Sequence, residues 1–474
     1  MSIRPQVATV GSLDSARELS AQGKAHKAWT IAVEAITQRP FHPEAYLFLA
    51  ELAEGLNDLQ LATRCIAEAE KLAFNWPKIS EARVRLSNCQ VGGAVAADTL
   101  TFPQVTQEPR LSICMIVKDE ERFIEQSLES VHTIANQLVV VDTGSRDRTV
   151  SIAEECGAEV YEIEWNNDFS VARNDSLQYA TGDWVLILDA DEIAEPNSIS
   201  ALRRFLNQTD YLAGTIKNTN AGADPKTAPV PRLFRNVPGA YFTGRIHEQV
   251  FPSLESKVSE WDMKVTACDF EVVHYGYLDD VKSEKGKVLR NLKLLAQAIQ
   301  ESPDDPVLHM HYAIDLSNAG QLGLAIEQGA RALELLNGRP ISEVSPDIRE
   351  RLLNVHCNHM LVAGRFQDLI TVANSPAALL SGPNASVQFM NAIAHMSLGD
   401  ARSAIPLLES CIETRNRPVT IPHVSDLIGS QPHVLLGNCY ARVGQLNMAR
   451  QQYKAALVID PDNAQMLRLL EALG

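Results

Sequence analysis

The sequence lacks the cysteine patterns that mark a zinc or redox site. Its 8 cysteines are spread over 474 residues, and no two of them form a Cys-x-x-Cys pair. They stand at positions 65, 89, 114, 156, 268, 357, 411 and 439. This spacing argues against a zinc knuckle and a redox dithiol, and in so long a chain it predicts buried free thiols.

Positive charge is also scarce. Lys and Arg number 42 against 59 Asp and Glu, which gives a formal net charge of −17. Such an acidic chain is a poor candidate for binding nucleic acid or anionic lipid, although a local basic pocket for a phosphorylated small molecule is compatible with it. The 45% apolar and 21% charged residues are typical of a soluble globular protein.

Long apolar runs and glycine-rich phosphate loops are missing too. No run approaches the roughly 18 to 20 apolar residues of a membrane span, and no apolar signal segment follows Met1. We therefore expect a cytoplasmic protein with no membrane span. Neither G-x-G-x-x-G nor G-x-x-x-x-G-K-[ST] occurs. A nucleotide would thus be held by carboxylates at its base and ribose, with a metal neutralising its phosphates.

The two ends of the chain carry a helical repeat pattern, and 474 residues predict two to four domains. Near the C-terminus, nine residues fall at the spacing of a tetratricopeptide repeat. They are His433, Leu436, Gly437, Tyr440, Gly444, Ala449, Tyr453, Ala456 and Pro461. At the N-terminus, Ala28 recurs as Ala62, 34 residues later, which fits either such repeats or generic helical hairpins. We predict helical repeats over 1–90 and 281–474, with a linker over 91–109.

The middle of the chain, 110–280, predicts an α/β domain. Four short apolar runs alternate with helical stretches, which indicates crossovers and a mostly parallel sheet. These runs are 111–117, 138–141, 159–163 and 184–188. After Pro196 the alternation loosens, and 211–217, 231–235 and 241–250 fit mixed sheet or loops.

Three of the predicted strands end in acidic residues. Asp119 follows the first strand, Asp142 the second, and Asp189-Ala190-Asp191 the fourth. Single carboxylates there could cap helices, but ligands of an open α/β sheet bind beyond the carboxyl ends of the strands. Residues two apart on an extended chain point the same way, so Asp189 and Asp191 can face one ligand. Their hard oxygens suit Mg²⁺ or Mn²⁺.

These motifs together resemble the nucleotide-sugar-binding half of family 2 glycosyltransferases, which have the GT-A fold. The carriers of the resemblance are Asp119-Glu120-Glu121, the run from Val140 to Thr149, Ala172-Arg173-Asn174 and Asp189-Ala190-Asp191. Asp119 replaces the usual Asn of the first motif. The repeats at both ends are similar to a subgroup of this family that is fused to tetratricopeptide repeats.

The resemblance implies a role for each matching residue. Asp142 would accept a hydrogen bond from the uracil imide, and Glu120 would contact the base or ribose. Arg173 would lie near the phosphates of the donor. Asp189 would reach the ribose or metal-bound water, and Asp191 would ligate the divalent cation. The extra charge of Asp119 beside Glu120 leaves the contacts of the base open.

The second half of the domain offers two further candidates. Glu248, in Gly244-Arg245-Ile246-His247-Glu248-Gln249, is predicted as the base that activates the acceptor, or else as an ion-pair partner of Arg245. His274 stands on an apolar strand and is predicted as a third metal ligand, or else as a core histidine.

The sequence therefore predicts an inverting, metal-dependent hexosyl- or N-acetylhexosaminyltransferase with a UDP-sugar donor. Since stacked helix hairpins present surfaces that suit peptides, the first hypothesis for the acceptor is a peptide or protein bound by the repeats. The alternatives are a lipopolysaccharide-core or other cell-surface glycan as acceptor, and a non-catalytic scaffold with a degenerate transferase domain. The intact Asp142, Asp189 and Asp191 argue against the scaffold.

Overall fold

The structure is a computed structural model that divides into two compact units, Met1–Asp280 and Val281–Gly474. It describes residues 5–89, 108–220, 228–275, 281–340, 346–380, 382, 384–414 and 429–472. The predicted linker 91–109 lies outside the described residues except for its last two positions.

An array of helices opens the first unit. They are α1 (Asp14–Ala21), α2 (Ala25–Gln38), α3 (Pro43–Gly55), α4 (Leu59–Leu72) and α5 (Pro77–Ser87). Ala28 and Ala62 are both fully buried, which is why small residues recur at the contacts between these helices. The Asp58 carboxylate caps α4 by accepting a hydrogen bond from the backbone N–H of Leu61 at 2.9 Å.

An eight-stranded sheet follows, and its order is β3-β2-β1-β4-β7-β6-β8-β5. The strands are β1 (Leu111–Val117), β2 (Gln137–Asp142), β3 (Glu159–Glu162), β4 (Trp184–Ile187), β5 (Glu192–Ala194), β6 (Tyr211–Asn220), β7 (Ala228–Arg235) and β8 (Lys264–His274). The first four strands pair in parallel, as predicted, whereas β7 runs antiparallel to both β4 and β6. The carboxyl ends of β1, β2 and β4 therefore meet at one edge.

Helices cover both faces of the sheet. They are α6 (Ile124–Val131), α7 (Thr149–Glu155), α8 (Phe169–Tyr179), α9 (Ile199–Leu206) and α10 (Phe251–Trp261). Alternate strand residues separate into two hydrophobic clusters: Ile113 belongs to the one that includes α6 and α9, and Cys114 to the one that includes α8 and α10. Because side chains alternate across a strand, each face has its own core.

The N-terminal helices complete the second of these cores. Phe41, which links α2 to α3, and Trp76, which precedes α5, pack against Trp261 of α10 with ring centroids 5.9 and 6.3 Å apart. The buried Arg235 guanidinium lies 4.8 Å from the Phe41 ring and 4.1 Å from the Trp184 ring. These helices therefore share a hydrophobic core with the sheet.

The second unit is entirely helical in its described part. Its helices are α11 (Val281–Glu301), α12 (Pro306–Asn318), α13 (Leu322–Asn337), α14 (Pro346–Val362), α15 (Phe366–Ala373), α16 (Pro376–Leu380), α17 (Ala385–Ser397), α18 (Ala401–Thr414), α19 (Gln431–Arg442), α20 (Leu446–Ile459) and α21 (Ala464–Ala472). Consecutive helices pack closely where glycine faces a large side chain, as Gly437 faces Tyr453 and Gly329 faces His356. The repeat pattern at 433–461 thus predicts the hairpin of α19 and α20.

Two of the compositional predictions can be compared with the structure. All 8 cysteines are free and six are buried, the exceptions being the exposed Cys89 and the half-buried Cys156. Across the described residues, none of the helices has the length and apolar character that a membrane span requires. Of the stretches with loosened alternation, 241–250 is a loop closed by a bridge between Thr243 and Gln249.

Candidate functional site

The loops that follow β1 and β2 are bonded to each other. The Asp119 carboxylate accepts a hydrogen bond from the backbone N–H of Arg146 at 2.7 Å, and the Asp119 N–H donates to the Ser145 hydroxyl at 2.9 Å. Asp119 has a φ of 56°, in the left-handed region that Asn and Asp tolerate best. Asp119 therefore has a local structural role. The side-chain oxygen of an Asn at this position would accept the same hydrogen bond.

Asp142 lies at the end of β2, and its two carboxylate oxygens have different surroundings. Its Oδ2 accepts hydrogen bonds from the backbone N–H groups of Gly144 and Ser145, both at 2.9 Å. Its Oδ1 is buried and has no hydrogen-bond partner among the described residues, and the residue is 3% exposed. A buried acceptor without a partner costs free energy, so this oxygen is suited to a ligand N–H.

Glu120 follows β1, and β1 lies between β2 and β4 in the sheet. Its backbone N–H donates to the Thr149 hydroxyl at 2.7 Å, and its carbonyl accepts from the N–H of Ile124 as α6 begins. The backbone at Glu120 is thereby fixed beside the loop that follows Asp142.

Asp189, after β4, is bonded to two arginines from different elements. Arg173 of α8 donates to Oδ1 at 2.6 Å, and Arg232 of β7 donates to Oδ2 at 2.7 Å. Burial alone would raise the pKa of Asp189, but Arg232 and Arg173 outweigh it and hold that pKa well below its ordinary value. Asp189 is therefore ionised at neutral pH, and it brings two guanidiniums together.

Glu192 helps to hold Arg232 and Asp189 in place. It is 1% exposed, and its Oε2 accepts hydrogen bonds from Arg232 and from the backbone N–H of Asp189. Its Oε1 accepts from the Asn218 side chain. Burial raises the pKa of Glu192, and with both oxygens occupied by donors the side chain is a fixed hydrogen-bond acceptor for Arg232.

Glu248 reaches Arg173 from a loop. Its Oε1 accepts a hydrogen bond from Arg173 Nε at 3.1 Å. The loop is attached to the start of α8, because the N–H of Phe169 donates to the carbonyl of Arg245 at 2.9 Å. His247, with a φ of 56°, makes the sharp turn before Glu248. Arg173 thus joins Glu248 to Asp189.

Asp191 and His274 form a separate pair. His274 Nε2 and Asp191 Oδ2 are 2.9 Å apart, and His274 of β8 pairs with Glu192 of β5 in the sheet register. Burial lowers the pKa of His274, but the hydrogen bond and charge of Asp191, together with the nearby charges of Glu192 and Asp189, raise that pKa above its ordinary value. The structure thus brings these two residues, both predicted as metal ligands, within hydrogen-bond distance of each other.

The chemistry of these donors is compatible with Mg²⁺ or Mn²⁺. Within the described ranges, no three His, Cys, Asp or Glu side chains are grouped closely enough to hold a metal ion. Asp191 and His274 would thus supply two ligands, which suits a cation that keeps waters and binds substrate phosphates. Three carboxylates, those of Asp189, Glu192 and Glu248, face only two guanidiniums here, so a diphosphate would need further positive charge.

Three of these residues were not predicted as site residues from the sequence. Arg232 of β7 and Asn218 of β6 join the site through the order of the strands, whereas Glu192 of β5 lies three residues beyond Asp189 and bonds to its backbone. Glu192 directly follows Asp191, and a charged residue on a buried strand is the signal that could have drawn attention to it.

Family models and relatives agree with this architecture. The model of glycosyl transferase family 2 matches residues 112–249, and that of the tetratricopeptide repeat matches residues 430–463. The chain is 36% identical over 296 residues to a TPR repeat-containing protein of Synechococcus elongatus, covering 61% of this chain and 70% of that protein. It is 27% identical over 207 residues to the SPbeta prophage-derived glycosyltransferase SunS of Bacillus subtilis, covering 42% of this chain and 47% of SunS.

Similarity to solved structures is lower. Glucosyl-3-phosphoglycerate synthase from Mycobacterium tuberculosis, in complex with Mg²⁺ and uridine diphosphate, is 24% identical with a TM-score of 0.21. The match covers 24% of this chain and 44% of that one. The TPR protein YrrB is 21% identical with a TM-score of 0.30, over 38% of this chain and 81% of that one. These scores are too low to carry a functional argument.

Proposed function

Because the chain belongs to the family 2 glycosyltransferases that carry tetratricopeptide repeats, we propose that it transfers a hexosyl or N-acetylhexosaminyl group from a UDP-sugar to a peptide or protein. The transfer proceeds with inversion and uses Mg²⁺ or Mn²⁺. The repeats present the acceptor, and the site beyond β1, β2 and β4 binds the donor.

The environment of Asp142 carries the donor assignment. Its Oδ2 is held by two backbone N–H groups, so its buried Oδ1 is the atom that accepts the imide N–H of uracil. Glu120, at the end of the neighbouring strand, contacts the base or ribose. A buried acceptor in a fixed position discriminates well between ligands, since a ligand without a matching donor leaves it unpaired.

Asp191 and His274 hold the cation, and Arg173 lies at the diphosphate. The cation supplies Lewis-acid stabilisation of the charge on the departing diphosphate. Arg173 Nη1 is buried and has no hydrogen-bond partner among the described residues, so it is the donor available for a phosphate oxygen. Such fixed donors stabilise charge as it develops in the transition state.

Glu248 takes the proton of the acceptor. Arg173 Nε fixes its Oε1, which leaves Oε2 for the acceptor hydroxyl or thiol. Because the attack comes from the side opposite to the diphosphate, a single displacement inverts the anomeric carbon. The pairing of Glu248 with Arg173, rather than with Arg245, keeps it beside the donor site.

Donor hydrolysis and binding test this proposal. Full-length protein is incubated with UDP-, GDP- and ADP-sugars with and without Mn²⁺, while nucleotide release and thermal stabilisation are measured. We expect one UDP-sugar to stabilise the protein selectively and to be hydrolysed slowly by it. Asp142→Asn should weaken UDP binding about tenfold or more, because its amide would present an N–H to the uracil N–H. Asp210→Asn, at a solvent-exposed ion pair of the same unit, is the control.

Other outcomes identify the alternatives. If no nucleotide sugar stabilises the protein and the protein releases no nucleotide from any of them, the chain is a scaffold and the proposal is wrong. Transfer to a cell-surface glycan with no transfer to peptides would replace the acceptor but keep the enzyme. Asp191→Asn should abolish metal-dependent turnover, and near-normal transfer by this variant would remove Asp191 from the metal site.

A further inference from the structure

Arg232 occupies a bulge in β7. Gly214 of β6 pairs with Leu233 and Thr215 pairs with Pro231, so Arg232 is the extra residue without a partner on β6. On the other side, the register with β4 ends at the pair Leu186–Leu233. Bulges re-aim a side chain and are common beside active sites. Here the bulge lies next to the carboxyl end of β4, where Asp189 follows.

One edge of the Arg232 guanidinium is fixed from inside the protein. Nη1 donates to Glu192, which is 1% exposed and receives two further hydrogen bonds, from Asn218 and from the N–H of Asp189. A buried carboxylate with all of these donors holds its partner in one orientation. Glu192 therefore determines where the other edge of Arg232 points.

The other edge of Arg232 is bonded to a carboxylate that is itself partly exposed. Arg232 keeps 21% of its side chain exposed and Asp189 keeps 29%, and Nη2 of Arg232 lies 2.7 Å from Asp189 Oδ2. Arg173 bonds to the second oxygen of the same carboxylate. Two guanidiniums thus converge on one partly exposed carboxylate, and the planar fork of each matches phosphate oxygens as well as carboxylate oxygens.

We propose that Arg232 binds the diphosphate of the nucleotide-sugar donor beside Arg173, and that Glu192 is the residue that positions Arg232. The assignment rests on the proposed function, because it presupposes a nucleoside diphosphate at this sheet edge. Diphosphate oxygens replace Asp189 at the outer edge of the guanidinium, while Glu192 keeps the inner edge in place. Asp189 is then released towards the ribose.

The comparison of UDP with uridine tests this assignment. Both ligands are titrated calorimetrically into the full-length protein in the presence of Mg²⁺. We expect Arg232→Gln to weaken UDP binding about tenfold to hundredfold, the usual effect of losing a charged hydrogen bond, and to change uridine binding less than about twofold. Arg232→Lys keeps the charge without the fork and should fall between. Arg204→Gln, an exposed arginine of α9, is the matched control and should change neither.

Two further variants separate binding from folding. Arg232→Gln leaves Glu192 buried without its cation, so Glu192→Gln/Arg232→Gln removes both charges and should regain melting temperature but not UDP affinity. Glu192→Gln alone should weaken UDP more than uridine, because Arg232 loses its orientation.

These results show whether Arg232 contacts the diphosphate or only supports the structure of the site. Equal losses for UDP and uridine, or unchanged UDP binding in Arg232→Gln, would show a purely structural role and overturn the inference. If the wild-type protein binds neither UDP nor uridine, nor GDP or ADP, the proposed function itself fails, and the inference fails with it.

Discussion

The helices at the two ends of the chain are built alike but packed differently. Ala28 and Ala62 in the first unit and Ala449 and Ala456 in the second are all fully buried at helix contacts. The N-terminal helices share a core with the sheet, whereas α17–α21 form a cluster of their own. The repeat pattern therefore specifies hairpins, and residues outside the pattern decide what the hairpins pack on.

The residues that make this difference lie between the N-terminal helices. Phe41 and Trp76 surround Trp261, and the buried Arg39 donates to the carbonyl of Leu177 in α8 at 3.0 Å. Both the aromatic rings and this buried charge need partners outside the helical array. The proposed donor site and the N-terminal helices consequently belong to one compact unit.

Trp261→Ala is the strongest test of this shared core. Trp261 is 1% exposed, and its removal should destabilise the first unit by about 3–5 kcal/mol, as for other buried aromatic truncations. We expect UDP binding to be lost at a lower temperature than in the wild type, measured by calorimetry against circular dichroism. Tyr453→Ala, equally buried in the second unit, is the control and should leave UDP binding intact. Equal effects of both variants on UDP binding would contradict the comparison.

Acid should weaken the second unit through His356. Burial lowers its pKa to about 4 from about 6.5 in the unfolded chain, so its contribution is complete above pH 6.5 and is lost as pH falls towards 4. Over the whole interval, the free energy of unfolding should fall by about 3 kcal/mol. His356→Gln should therefore lose less stability than the wild type over this interval in urea unfolding. His132→Gln, at an exposed position, is the control and should behave as the wild type. If the free energy of unfolding changes with pH at the same slope in all three proteins, the assignment to His356 is wrong.

Gly437→Ala tests how closely the last hairpin is packed. An added Cβ would lie 2.4 Å from Tyr453 Cε1, and Tyr453 is 2% exposed and cannot move aside. We expect a loss of about 1–3 kcal/mol in thermal unfolding. Gly323→Ala, in α13 with open space around it, should instead stabilise by about 0.5–1 kcal/mol. A stabilising effect at both positions would show that the hairpin is looser than described.

The smallest effect is expected at the rim of the N-terminal contact. Lys78 and Glu260 are 3.0 Å apart with 59% and 39% of their side chains exposed. A double-mutant cycle with Lys78→Met and Glu260→Gln should give a coupling below about 1 kcal/mol that falls with salt. A coupling above about 2 kcal/mol would move the strength of this contact from its aromatic centre to its edge.

Much of the first half of the sheet could be predicted from the sequence. The strands at 111–117 and 184–188 and the acidic residues after them are local features, because apolar runs and chain breaks are read from neighbouring residues. Asp142, Asp189 and Asp191 lie at the expected sheet edge for that reason. Their individual roles stay predictions.

The surroundings of these carboxylates could not be predicted in the same way. Arg232 and Asp189 are 43 residues apart, and Arg173 and Glu248 are 75 apart. Arg232 meets Asp189 only because β7 pairs with β4 and carries a bulge at this position. No local pattern encodes such a meeting, since it depends on strand order and register.

By itself, the amino-acid sequence determined the helical hairpins, the α/β alternation and the row of acidic strand ends. Each of these follows from interactions among residues within a few turns or one strand. The tertiary structure alone decided that two arginines converge on Asp189, that Glu192 holds one of them, and that the N-terminal helices share a core with the sheet. Buried charges and aromatic rings find partners only once distant segments have packed, and this packing is a property of the whole chain.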